Sequence, residues 1–124
     1  NVPGVSGVFM EGMVTYSKKK KMRLLGVRED TLKAYGAVSE ETAREMAEGG
    51  VNTSGTDLCV ATTGIAGPDG GTDEKPVGLV YMACCLRGKT CVRRYQFKGN
   101  REKVREQAMM KALDLARLCI LANN

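Results

Sequence analysis

The sequence predicts a layered α/β domain with a mixed sheet and helices covering its faces. Three observations carry this. A short apolar run, Leu58 to Ala61, breaks into a glycine-rich loop and re-enters an apolar run from Val77 to Leu86. The turn Arg87-Gly88-Lys89 then leads into the alternating segment Thr90 to Phe97, which reads as the second arm of a hairpin. Beyond it, apolar residues recur at helical spacing to the end of the chain. The order strand, helices, strand, hairpin, helix is that of one sheet with helices packed against it.

The elements follow in order. Asn1 to Gly4 reads as loop, with Val2-Pro3-Gly4 as a turn. Val8 to Ser17 carries β-branched and aromatic residues and predicts a strand running toward Tyr16, with Gly12 as a bulge. Ser17 caps a short helix, Lys18 to Leu25, closed by Gly26. Lys18, Lys19 and Lys20 read as a solvated face, whereas Lys21 begins the half of that helix that turns apolar. Arg28 to Tyr35 is a second helical segment, ended by Gly36. Ser39, followed by Glu40 and Glu41 at the positive end of the dipole, starts a helix expected to run to about Gly49, with Thr42, Ala43, Met46 and Ala47 inward. Leu58 to Ala61 is a buried strand ending at Thr62 and Thr63. Gly99-Asn100 caps the last helix, Arg101 to about Leu121, whose inner face is Val104, Ala108, Ala112, Leu115 and Cys119, widened by Leu113, Ala116 and Leu118.

At 124 residues the chain makes one domain, 1–124, with a real core but no room for two. No apolar run approaches a membrane span and no signal segment opens the chain, so the cytoplasm is the expected compartment and no membrane partner is expected. Five cysteines, an odd number without a CxxC pair, read as buried structural thiols, and no metal is expected. The absence of histidine excludes a Ser-His-Asp triad and a histidine general base. A net charge of +5 calls for an anionic partner. Nucleic acid is disfavoured by 5% aromatics and by basic residues spread among acids, while a small phosphate-bearing ligand explains the charge equally well.

The stretch from Thr63 to Gly78 concentrates the chemistry. Gly64, Gly67, Pro68, Gly70, Gly71 and Pro76 exclude a regular element there. Two readings stand side by side: a surface loop with awkward turns, or a bare backbone whose N–H groups approach an anion or a carbonyl oxygen. Position favours the second, because a loop at a strand's end is where open α/β sheets bind ligands. Neither the Walker nor the dinucleotide glycine spacing is present.

Several segments together resemble the CinA C-terminal domain family. They are Tyr16-Ser17 followed by Lys21 and Leu25-Gly26-Val27; Gly36-Ala37-Val38-Ser39-Glu40; Thr63-Gly64-Ile65-Ala66-Gly67-Pro68 with Gly70-Gly71 and Glu74-Lys75-Pro76-Val77-Gly78; and Gly99-Asn100-Arg101. The match spans essentially the whole chain. It implies a three-layer α/β/α sandwich and the activity of that family's nicotinamide-nucleotide amidases, which convert nicotinamide mononucleotide to nicotinate mononucleotide and ammonia in pyridine nucleotide recycling. Family members carry, ahead of the point where this sequence begins, a helix and a strand ending in Ser-Cys-Thr-Gly-Gly; the domain is therefore expected to be N-terminally incomplete here. Lys18 also stands where the family usually has Asn.

What the resemblance implies for the site is a Ser-Lys engine without a cofactor. It puts the serine at Ser6 and the lysine at Lys21, with Tyr16 orienting the pair. Lys21 must lose its preference for charge through burial or the positive potential of neighbouring lysines. Thr63 and the N–H groups of Gly64, Ile65, Ala66 and Gly67 would hold the carboxamide or the phosphate, and Arg101 at a helix N-terminus would meet the phosphate. Taken singly, Ser6 also fits a turn residue, Tyr16 a core aromatic and Arg101 a surface charge. The expected partner is a small pyridine nucleotide, and a homo-oligomer is expected. The alternative is a non-catalytic nucleotide-binding module of a competence/damage-inducible protein, which the Lys18 departure would favour.

Overall fold

The computed structural model describes residues 7–13 and 26–122. Four strands form one sheet in the order β1-β2-β3-β4: β1 Gly7–Met13, β2 Leu58–Gly64, β3 Leu79–Leu86 and β4 Lys89–Gln96. β1 runs parallel to β2, and β2-β3 and β3-β4 are antiparallel, so the sheet is mixed. Among the described residues three helices accompany it: α1 Glu29–Tyr35, α2 Glu40–Ser54 and α3 Arg101–Ala122. The helix expected at Lys18 to Leu25 lies outside the described residues, as does the end of the first predicted strand. Gly12 is not a bulge: the β1-β2 register runs without interruption from Gly7 opposite Leu58 to Met13 opposite Gly64.

Alternation along β2 and β3 divides the core in two. Leu58 and Val60 of β2, with Val80, Met82, Cys84 and Leu86 of β3, point to one face and meet Val104, Ala112, Leu115 and Cys119 of α3. Ala61, Ala83 and Cys85 point to the other face, where Ala43, Met46 and Ala47 of α2 pack with Val27 and Ala37. The bulky face thus takes α3 and the small-residue face takes α2, giving helix, sheet and helix in three layers. Each fully buried Met or Leu, such as Met46, Met82 and Leu86, contributes about 1.5–3 kcal/mol by leaving water.

Local chemistry sets the boundaries. Ser39 caps α2 by accepting the Thr42 amide at 3.1 Å. The helix passes Gly49 and ends at Ser54, where Gly55 takes the left-handed conformation at φ 71°. It passes two glycines because they are contact points: Gly50 is buried, and a β-carbon on Gly26 would sit 3.1 Å from the Gly49 Cα. Glu45 receives bonds from the Arg28 amide, at 2.9 Å, and from Thr31 Oγ1, at 2.6 Å, pinning α1 to α2. Burial pushes its carboxyl pKa up, but those bonds and the Arg28 charge outweigh it and leave the pKa below the ordinary value. The β3-β4 turn has two residues, Arg87 and Gly88, both at positive φ (51° and 83°), as a type I′ hairpin demands, so Lys89 already belongs to β4.

The inner face of α3 is narrower than its composition suggests. Leu113 and Leu118 do not widen it; they are 57% and 53% exposed, because a helix lying over β2 and β3 presents only one stripe to them.

Candidate functional site: a cleft between the glycine loop and the last helix

The loop after β2 is held at both ends by backbone bonds. Ile65 donates to the Leu79 carbonyl at 3.0 Å and accepts from Gly78 at 2.7 Å, so the chain from Ala66 to Val77 projects as a lobe from the end of the sheet. Phe97 donates to the Gly78 carbonyl at 2.8 Å and Gln96 Nε2 to the Val77 carbonyl at 2.8 Å, fastening the lobe to the end of β4. Inside, the Thr72 amide donates to the Lys75 carbonyl at 2.9 Å, and Lys75 Nζ reaches the Tyr35 carbonyl at 2.6 Å.

Most loop glycines are explained by this packing. A β-carbon on Gly67 would lie 2.6 Å from Val77 Cγ1, and one on Gly71 would lie 2.7 Å from the Val77 amide nitrogen. Val77 is thus wrapped by the loop that precedes it. Gly64 abuts Val80, whose Cγ2 would be 2.7 Å from an added β-carbon.

The start of α3 meets this lobe. Asn100 Oδ1 accepts the Lys103 amide at 2.9 Å, capping the helix. Arg101, the first helical residue, donates from Nη1 to the Gly67 carbonyl at 3.1 Å. Between lobe and helix lies an open cleft of about 600 Å³, lined by Ala66, Pro68, Val77, Gly99, Asn100, Arg101, Glu102 and Arg105. Arg101 and Arg105 are four residues apart and share one helix face. Two guanidinium groups and the positive end of a 22-residue helix therefore border one concavity, an arrangement suited to a phosphate or carboxylate.

The structure brings Ala66, Gly67 and Arg101 together at this cleft. Thr63, Gly64 and Ile65 stand behind it. Thr63 is fully buried and donates to the Ala37 carbonyl at 2.7 Å, joining the end of β2 to the approach to α2. The Ile65 side chain is buried with Val38 and Leu79, and its amide is committed to the sheet. Arg105 was not singled out in the sequence, although its spacing from Arg101 is the signal that finds it. Val77, which reads there as the start of β3, forms a wall of the cleft instead.

Ser6, Tyr16 and Lys21 lie outside the described residues. Met13, at the end of β1, pairs with Gly64 beside the loop. Of the five thiols, Cys59, Cys84, Cys85 and Cys119 are buried and Cys91 is exposed. Among the described residues no group of His, Cys, Asp or Glu is arranged to hold a metal ion. Among them, too, no helix is long and apolar enough to cross a membrane.

A three-layer α/β domain with an open cleft at the carboxyl end of its parallel strand pair defines the general class. The chain belongs to the CinA C-terminal domain family, whose description matches residues 1–120. It is 57% identical over 117 residues to a competence-damage inducible protein of Clostridium perfringens, covering 94% of this chain and 28% of that protein. It is 54% identical over 121 residues to a CinA-like protein of Kosmotoga olearia, covering 98% of this chain and 29% of that one. The chain therefore spans little more than a quarter of the length of these relatives. Among solved structures it is similar to the competence/damage inducible protein CihA of Agrobacterium tumefaciens, at TM-score 0.85 and 32% identity, over 98% of this chain and 87% of that one. It is also similar to a competence or damage-inducible protein of Enterobacter asburiae, at TM-score 0.81 and 32% identity, over 90% and 84% of the two chains.

Proposed function

We propose that this domain binds a pyridine mononucleotide in the cleft and hydrolyses its carboxamide, converting nicotinamide mononucleotide to nicotinate mononucleotide and ammonia. The observation that carries the proposal is the Arg101–Gly67 bridge, which holds the first residue of α3 against the glycine loop at the mouth of a cleft that Arg105 also lines. The nucleotide's phosphate takes the Arg101, Arg105 and helix end. The ring and its carboxamide extend along the glycine loop toward the end of β2.

In this reading Lys21, as the free amine, accepts the proton of the Ser6 hydroxyl as its oxygen attacks the carboxamide carbon, and Tyr16 orients the pair. The C–N bond of the tetrahedral intermediate breaks as Lys21 passes that proton to the leaving nitrogen, and ammonia departs; water, losing a proton to the same amine, then hydrolyses the acyl-serine, releasing nicotinate mononucleotide and restoring the Ser6 hydroxyl.

Purified protein incubated with nicotinamide mononucleotide in the presence of a chelator should release ammonia. Lys21→Arg should lower turnover about a hundredfold or more, since a guanidinium with pKa above about 12 does not give up its proton. Arg101→Ala should weaken nucleotide binding about tenfold to a hundredfold, the equivalent of one charged hydrogen bond. Ser6→Ala should likewise lower turnover about a hundredfold or more, through loss of the nucleophile. Absence of ammonia release by protein that binds the nucleotide would replace this reading with the non-catalytic binding module, which the lysine at position 18 favours. Absence of binding as well would remove both.

A further inference from the structure

Strand β4 alternates between the two helical layers. Thr90 Oγ1 donates to Glu48 of α2 at 2.8 Å and Val92 packs in the α2 core, whereas Tyr95 packs in the core under α3. Cys91 shares the parity of Tyr95 and so lies on the α3 face. It stands directly opposite Cys84 of β3 in the antiparallel register. Cys119, in the closing turns of α3, packs in the same core as Cys84, and its thiol lies beside Cys84 and Cys91.

Three thiols from three elements therefore meet, at different depths. Cys91 is exposed, Cys119 is 6% exposed and Cys84 is fully buried. Burial pushes the Cys119 thiol above its ordinary pKa, with the Arg93 charge on β4 opposing it only weakly, so Cys119 reacts as the second, resolving thiol rather than the first. Nothing in the proposed hydrolysis uses these groups, which lie toward the end of α3 opposite to Arg101.

We propose that Cys91 and Cys119 form a redox clasp, in which a peroxide oxidises exposed Cys91 and Cys119 resolves it to a disulfide tying the C-terminal part of α3 to β4. In the first step the Cys91 sulfur attacks one peroxide oxygen, the O–O bond breaks, and sulfenic acid and water form. In the second the Cys119 sulfur attacks the Cys91 sulfur, the S–O bond breaks, and the departing hydroxide takes the Cys119 proton to leave as water. One peroxide is reduced and two thiols are oxidised. Cys91 is the point of entry because it alone of the three is open to solvent.

The test is to treat the fully reduced protein with one equivalent of hydrogen peroxide, digest it without reductant and map the linked peptides. The expected product is an intramolecular Cys91–Cys119 peptide pair, with the thiol count of the denatured protein falling by two from five and returning after dithiothreitol. Cys119→Ser should abolish the link and leave a Cys91 sulfenic acid that dimedone traps. Cys91→Ser, a surface change that leaves the core intact, should abolish both products. A Cys84–Cys91 link, a link only between two molecules, or oxidation that leaves Cys91 reduced would overturn the assignment.

Discussion

Gly78 shows how far a single residue's role is set by what surrounds it. Its φ is 93°, and a β-carbon there would run into the carbonyl oxygen of Phe97, the residue whose amide closes the loop onto β4. Gly55 is also left-handed, at φ 71°, but has open space around it. Gly55→Ala should therefore cost only the backbone preference, about 1–2 kcal/mol, while Gly78→Ala should cost clearly more, above roughly 3 kcal/mol, because strain and collision add. Urea unfolding of the two variants checks this, and equal losses would refute it. Thr63→Val makes the complementary test: it keeps the shape but leaves the buried Ala37 carbonyl without its donor, at a cost of about 1–3 kcal/mol. At this scale the sequence was legible as to which residues matter and less so as to why. A glycine needed to wrap Val77 and a glycine needed to admit an anion are the same letter, and only the fold shows that Gly67 and Gly71 face Val77 while the Gly67 carbonyl anchors Arg101.

At the scale of elements, pattern served well wherever one surface decides burial. The buried runs of β2 and β3 and the alternation of β4 emerged within a residue or two of their ends, as did the cap at Ser39. Two readings failed for one physical reason, which is that a partner's approach is not written in the element itself. Gly49 and Gly50 look like a stop, yet they are where Gly26 comes close and where α2 needs no side chain. Along α3, Leu113 and Leu115 look alike, but Leu115 is 3% exposed beneath the sheet and Leu113 is 57% exposed on a flank. Leu115→Ala should lose about 2–5 kcal/mol through transfer and cavity terms, whereas Leu113→Ala should stay within about 0.5 kcal/mol of the parent. Similar losses in thermal or urea unfolding would mean that Leu113 is covered after all.

For the whole molecule, the three layers follow from one division of labour: small side chains of the sheet face α2 and large ones face α3. That division is readable from the alternation of Val60 with Ala61 and of Met82 with Ala83. The parallel pairing of β1 with β2 is not, since it joins segments far apart in the chain and rests on contacts no local pattern specifies. Cys59 and Cys85 are paired in the β2-β3 register, both buried. Burial, with a smaller repulsion from Cys85, pushes the Cys59 thiol from 9.0 up to about 11. The folded protein thus keeps a proton that the unfolded chain gives up, so the stability linked to Cys59 is complete below pH 9.0 and is lost as pH rises toward about 11. A single such group tilts the unfolding free energy by at most about 1.4 kcal/mol per pH unit across that window. Lysines and tyrosines titrate there too, so the measurement is a comparison. Urea unfolding of the parent and of Cys59→Ala from about pH 8 to about pH 11 should show a lower but flatter curve for the variant, lower from the lost packing and flatter from the lost proton. Parallel curves would show that Cys59 ionises no differently in the folded and unfolded chains, and the buried pairing with Cys85 would then carry no pH-dependent stability.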